Sequence, residues 1–182
     1  MKLVILLSTL LTCIIGIESL IVRTARSVEL QDGKVYFRQP PRLLKAVTTF
    51  DSVNVWSATY YFTVKLPTYA GEPLQKITIN QHSGLDDINF DLRDSFAMIG
   101  VRKREKEKLK VEITSKPSAK TVTLIFNPPV SPGKTITIAL KPTKNPAAEG
   151  IYLFGVTAFP AGEQSHGQFL GYGRLHFYRD NS

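Results

Sequence analysis

Cysteine is almost missing from this chain of 182 residues: Cys13 is the only one. The region from Ser27 to Ser182 therefore holds no disulfide, no Cys-ligated zinc, no iron–sulfur cluster and no thiol nucleophile. A blue-copper site would lack its thiolate ligand. Histidine is scarce as well. His82, His166 and His176 stand far apart and form no H-x-x-x-H pair. There is no G-x-S-x-G, no P-loop and no G-x-G-x-x-G. After the first two dozen residues no segment carries a helical apolar stripe, and no internal repeat is visible.

The chain opens with Lys2, an apolar run from Leu3 to Ile17 and polar residues from Glu18. Charged start, short apolar core and polar exit are the layout of a secretory signal. Read on to Val22, the same run has about 20 residues, the length of a membrane helix. Residues 1–26 are thus read as a signal peptide or an uncleaved membrane anchor. Thr12 is a poor lipoprotein residue, so Cys13 is read as part of the apolar run. Residues 27–182 are read as one exported domain of the periplasm, outer cell surface or extracellular space. About 150 residues suffice for one core.

The net charge is +8. Setting aside Lys2, Glu18, Arg23 and Arg26 leaves +6, of which +5 falls between Arg102 and Lys120. The basicity is local rather than a field over the whole molecule. Its centre is RKREKEKLK, with Arg102, Lys103, Arg104, Lys106, Lys108 and Lys110. These six are candidate contacts for an anionic surface; a solvated hairpin tip is the plainer reading. Nucleic acid is not an expected partner of an exported chain.

Period-two alternation dominates the rest. Tyr60, Phe62, Val64 and Leu66 alternate with Tyr61, Thr63 and Lys65. Similar runs centre on Ile77, Phe90, Val111, Leu124 and Ile138. One dry and one wet face per strand belong to an antiparallel sheet. Proline- and glycine-rich turns such as NPPVSPGK and FPAGEQSHGQ separate the runs. The expectation is an all-β fold, a single antiparallel immunoglobulin-like β-sandwich of about eight or nine strands. SVELQDGKVYF reads as a hairpin turning at Asp32-Gly33, and DSFAMIGVRKREKEKLK has room for one or two helical turns.

Ile151 to Phe159 is apolar on both alternations, as in a strand covered on two sides. In the last strand, Phe169, Gly171, Gly173, Leu175 and Phe177 form one expected face, with a ring such as Trp56 or Phe154 over one of the glycines. Tyr172, Arg174, His176 and Tyr178 fall on the other face, about 7 Å apart. Rings and a guanidinium in a row suit stacking on sugars or holding an anionic group. Cross-strand Tyr–Arg pairing explains the same residues without a ligand. The acids of HSGLDDINFDLRD do not match an EF-hand, and a solvated turn accounts for them. No metal ligand, cofactor or catalytic residue is assigned.

Four blocks, VYFRQPPRLL, ATYYFTVKLPTYAGEPLQKITINQ, FNPPVSPGKTITIALKPTKNP and GIYLFGVTAFPAGEQSHGQFLGYGRLHFY, resemble the cyanobacterial domain-of-unknown-function family 2808 over about Val28 to Tyr178. The resemblance implies an exported or envelope protein and brings no catalytic residues. The resulting expectation is a non-enzymatic binding or structural module of the cell envelope. Its partner would be envelope polysaccharide, anionic lipid or a protein. The alternative is an envelope-acting enzyme or a metal-binding periplasmic protein.

Overall fold

The computed structural model describes residues 28–29, 33–101 and 107–179. The signal or anchor read at residues 1–26 lies outside the described residues, as do Arg102, Lys103, Arg104 and Lys106. Eleven strands follow in order: β1 (Val28–Glu29), β2 (Val35–Tyr36), β3 (Arg42–Thr48), β4 (Tyr60–Lys65), β5 (Leu74–Ser83), β6 (Phe90–Ile99), β7 (Val111–Lys116), β8 (Thr121–Val130), β9 (Thr135–Pro142), β10 (Gly150–Pro160) and β11 (Gln168–Phe177). β1 and β2 pair as the expected small hairpin. The other nine form two antiparallel sheets, β11-β10-β5-β8-β7 and β3-β4-β9-β6.

This order is immunoglobulin-like in detail. β3, β4, β9 and β6 occupy the A, B, E and D positions of a constant-type domain, and β11, β10 and β5 occupy G, F and C. The β7–β8 hairpin is inserted between D and E and extends the second sheet beyond C. A 3-10 turn at Pro117–Ala119 joins its two strands.

The alternating residues meet between the sheets as the pattern requires. Tyr60, Phe62, Val64, Ile77, Ile79, Leu124, Ile136, Ile138, Tyr152, Phe154 and Phe177 are all buried. Phe154 is the hub of the rings, edge-on to Phe62 at 5.7 Å and to Tyr60 at 6.0 Å. The Tyr60 hydroxyl donates to Asn145 Oδ1 at 2.9 Å, which satisfies a polar atom inside an apolar layer. Burial pushes the Tyr60 phenol well above its ordinary pKa.

Four expectations are corrected. Asp94 to Ile99 is strand, not helix, because Ala97 and Ile99 alternate into the core beside β9. β10 is central within its sheet, but only its Tyr152–Phe154–Val156–Ala158 face is covered; Ile151 on the other face is exposed. The ring over a β11 glycine is that of Phe62, while Trp56 is exposed. A Cβ on Gly173 would lie 2.8 Å from Phe62 Cε1 and 2.7 Å from Ala46 Cβ.

The last correction concerns register. Val156 pairs with Gly171 and Thr157 with Phe169, so Leu170 is an extra residue in β11. Gly171 sits at φ +112°, where residues with a side chain are strained. This bulge turns Leu170 toward the core and puts half-exposed Phe169 beside Tyr172, on the face opposite the one expected.

Candidate functional site

Strand β3 does not stop at the edge of its sheet. After Thr49 it crosses to the other sheet, where Ser52 bridges Tyr178 in parallel. The Tyr178 amide donates to Asp51 O at 2.8 Å, and the Val53 amide donates to Tyr178 O at 2.9 Å. Asn145, 1% exposed, holds this strap: its Nδ2 donates to Phe50 O at 3.0 Å and to Ser52 O at 2.8 Å. One buried amide thus ties the strap to both the Tyr60 hydroxyl and the core.

Above the strap, the edge strands β3 and β11 run side by side. Between them lies an open, shallow groove of about 430 Å³. Ala46, Thr48, Thr49 and Asp51 form one wall, and Arg174, His176 and Tyr178 the other. Backbone groups enter the groove too. Hydrogen-bond direction alternates along a strand. Tyr178 bonds toward the strap, so Arg174 and His176 present their N–H and C=O groups on the same side. Thr49 bonds toward β4, so Ala46 and Thr48 face the groove from β3. Among the described residues Arg174 has neither a hydrogen bond nor an ion pair, and its fork of donors is open to solvent. The His176 Nδ1 and the Tyr178 hydroxyl are 3.4 Å apart.

Of the four residues singled out on this strand, the groove gathers Arg174, His176 and Tyr178. Tyr172 is placed elsewhere. Its ring lies 4.7 Å from His82 and 5.1 Å from Phe169. The Phe169 and Tyr172 rings lie over Gly155, where an added Cβ would meet Phe169 at 3.3 Å and Tyr172 at 3.5 Å. Rings laid across a strand glycine shield its backbone, so Tyr172 has a packing role of its own.

The basic run is only partly described. Lys108 and Lys110 are exposed, and Lys108 Nζ sits 4.9 Å over the Phe96 ring. Asp86 and Asp87 of the β5–β6 turn and Asp91 of β6 are each engaged separately. Asp86 Oδ2 accepts from the amides of Ala147 and Ala148 at 2.7 and 2.8 Å. Asp87 pairs with Lys120, and Asp91 with Arg93 at 3.1 Å. The Arg93 hydrogen bond holds the Asp91 carboxyl below its usual range. Each histidine faces a different tyrosine: His82 with Tyr172, His166 with Tyr36, His176 with Tyr178. Among the described residues no three His, Cys, Asp or Glu side chains are grouped to hold a metal ion.

Sequence reasoning missed the second wall of the groove. Thr48, Thr49 and Asp51 are a polar run directly after a strand, a visible signal. Their partner strand lies over 120 positions away, and only the strap brings the two together.

A family model described as protein of unknown function (DUF2808) matches residues 34–177. No curated protein matches the chain in sequence. Among solved structures, the chain is similar to the collagen-binding domain of a Staphylococcus aureus adhesin, with a TM-score of 0.44 at 11% identity, covering 75% of this chain and 98% of that one. It is similar to domains D2 and D3 of the major pilin SpaD of Corynebacterium diphtheriae, with a TM-score of 0.47 at 9% identity over 72% and 52% of the two chains. The collagen-binding subdomain of the Enterococcus faecalis surface protein ACE gives 0.44 at 11% identity, covering 76% and 99%.

Proposed function

The chain belongs to the DUF2808 family, and we propose that its residues 27–182 form a single exported, non-enzymatic binding domain on the outside of a cyanobacterial cell. Its ligand is an extended acidic envelope polysaccharide, held along the groove between β3 and β11. The observation that supports this is the composition of the groove. A guanidinium without a partner among the described residues, a tyrosine and a histidine ring, and outward-facing backbone groups from two strands line one open trough, beside Thr48 and Thr49, whose hydroxyls bond to the backbone of Phe50 and Thr59. An open trough admits a polymer along its length, which a closed pocket would not. Arg174 supplies a planar fork for a carboxylate or sulfate, and Tyr178 an apolar ring face for a sugar. The exposed Lys108 and Lys110, with the basic run they belong to, would add a salt-sensitive, unspecific attraction.

The test is direct binding of the purified chain to a polyuronate at low and high salt, read by calorimetry. Binding should weaken about tenfold in Arg174→Glu and in Tyr178→Ala, a change of about 1.4 kcal/mol each. Charge reversal at Arg102, Lys103 and Arg104 should change mainly the salt dependence. An unaltered affinity in both groove variants, or no binding by the wild type at low salt, would reject the glycan groove. Binding of an extended peptide instead, with the same two variants defective, would keep the groove and replace the ligand class.

A further inference from the structure

Each sheet edge of the sandwich meets solvent differently. β3 is interrupted at Leu44, where its register with β4 shifts, and Lys45 follows. β6 breaks register between Asp91 and Phe96, and its end is capped by pairing with 107–109. β11 carries the Leu170–Gly171 bulge and is bridged by the strap. Bulges and covering segments are the usual ways of preventing an edge from pairing with another chain. β7 has neither. It pairs with β8 in unbroken register from Val111↔Phe126 to Lys116↔Thr121, and among the described residues no strand lies on its other side.

The hydrogen-bond phase of β7 is fixed. The Asn127 amide donates to Lys110 O, so residues 110, 112, 114 and 116 bond toward β8. The N–H and C=O groups of Val111, Ile113 and Ser115 therefore point outward. No proline lies within β7 and no charged side chain points inward from it; Ile113 packs on the core.

From this edge we infer that β7 pairs antiparallel with β7 of a second copy of the chain, about a twofold axis at Thr114. In that register Ile113 exchanges backbone hydrogen bonds with Ser115 of the other copy. Thr114 faces Thr114, and Glu112 faces Lys116 twice. The phase agrees: the outward-bonding residues pair with outward-bonding residues. The even-numbered pairs fall at non-hydrogen-bonded positions, where opposed side chains are closest. Shifting the twofold axis by one residue toward the N-terminus sets Lys110 against Lys116, and by two residues sets Glu112 against Glu112, so like charges reject both slips. The chosen register also continues a row already present. Thr157, Thr78, Thr123 and Thr114 stand side by side across four strands on the outer face. The dimer would double that row within one ten-stranded sheet, an isologous contact of identical edges. The groove at β11 lies at the far end of the sheet and stays open in such a dimer.

The experiment is sedimentation velocity of the purified full chain in mild detergent across a concentration series. Glu112→Lys and Lys116→Glu should each weaken dimerisation about tenfold, because each places two like-charged pairs across the axis. The double exchange should restore it. In a Cys13→Ser background, Thr114→Cys should form a disulfide-linked dimer on mild oxidation, since non-hydrogen-bonded partners stand about 4.5 Å apart at Cα. Thr123→Cys, one strand further in, should not. A monomeric wild type at every concentration, a double exchange as weak as the single ones, or equal cross-linking at positions 114 and 123 would each overturn the proposal.

Discussion

The five-stranded sheet ends in two unlike strands. β11 is bulged at Leu170–Gly171, bridged by the strap at Tyr178 and packed through Gly173 against Ala46 and Phe62 of the other sheet. β7 keeps unbroken register with β8, and among the described residues nothing pairs with the row of backbone groups on its outer side. Both are edges of one sheet in one chain, yet one is built into tertiary structure and the other is not. The difference locates two kinds of contact. A closed edge can hold side chains at fixed positions around a groove. An open edge offers its backbone to another strand.

The sharpest way to test that contrast is to damage each edge and compare stability. Gly173→Val should be the most destabilising change, by about 3 kcal/mol, because its Cβ would overlap both Phe62 and Ala46 in a packed core. Ser115→Pro in β7 should cost about 1 kcal/mol or less, since the amide it removes points away from β8. Urea denaturation of both variants checks this; equal losses would mean that the two edges do not differ in the way described.

Asn145→Ala comes next, with an expected loss of about 2 kcal/mol. It leaves the Tyr60 hydroxyl and the carbonyls of Phe50 and Ser52 without their shared partner. The strap should loosen as well, which hydrogen exchange at the Val53 and Tyr178 amides would report as faster exchange. Unchanged protection there would show that Asn145 does not hold the strap.

Much of this contrast was legible in the residues, and part of it was not. The alternation of Tyr60, Phe62 and Val64, or of Leu109, Val111 and Ile113, is set by local side-chain direction, so strands and core faces could be read directly. Gly173 was readable as a packing notch, because a glycine in a strand implies a close neighbour. The identity of that neighbour, Phe62, depends on the stacking of two sheets and was not. The Leu170–Gly171 bulge was invisible for a similar reason. A glycine permits positive φ, but only the register with Val156 and Thr157 decides that it is used. Reading the strand as regular therefore put Phe169 on the wrong face. The strap escaped for want of any local signal that β3 changes sheets. Of the candidate site, Arg174, His176 and Tyr178 followed from period-two spacing, whereas Thr48, Thr49 and Asp51 required the strap.

Two smaller effects sharpen the picture. Glu72 is 8% exposed, its Oε1 has no hydrogen-bond partner among the described residues, and burial raises its pKa. A carboxyl whose pKa is raised by folding destabilises the fold once it is ionised. The Glu72 contribution to stability should be most favourable below the ordinary carboxylate range and decline as pH rises from there through the raised value. Glu72→Gln should remove that decline and gain about 1 kcal/mol at neutral pH, with little difference in acid. Denaturation curves at several pH values check the sign; a variant less stable than wild type at neutral pH would show that Glu72 is paired. Gly155→Ala should cost least, under about 0.5 kcal/mol, because the Phe169 and Tyr172 rings are half-exposed and can shift. Thermal melting should detect almost no change, unlike the Gly173 variant in the neighbouring strand.

The most direct measurement is a backbone-amide NMR titration of the chain with a polyuronate at low salt. The expected result is a contiguous set of shifts at residues 46–51 and 174–178, with the amides of β7 unmoved. Shifts confined to the β7 edge or to the basic run, with the groove silent, would contradict the assignment of the binding surface to the seam between β3 and β11.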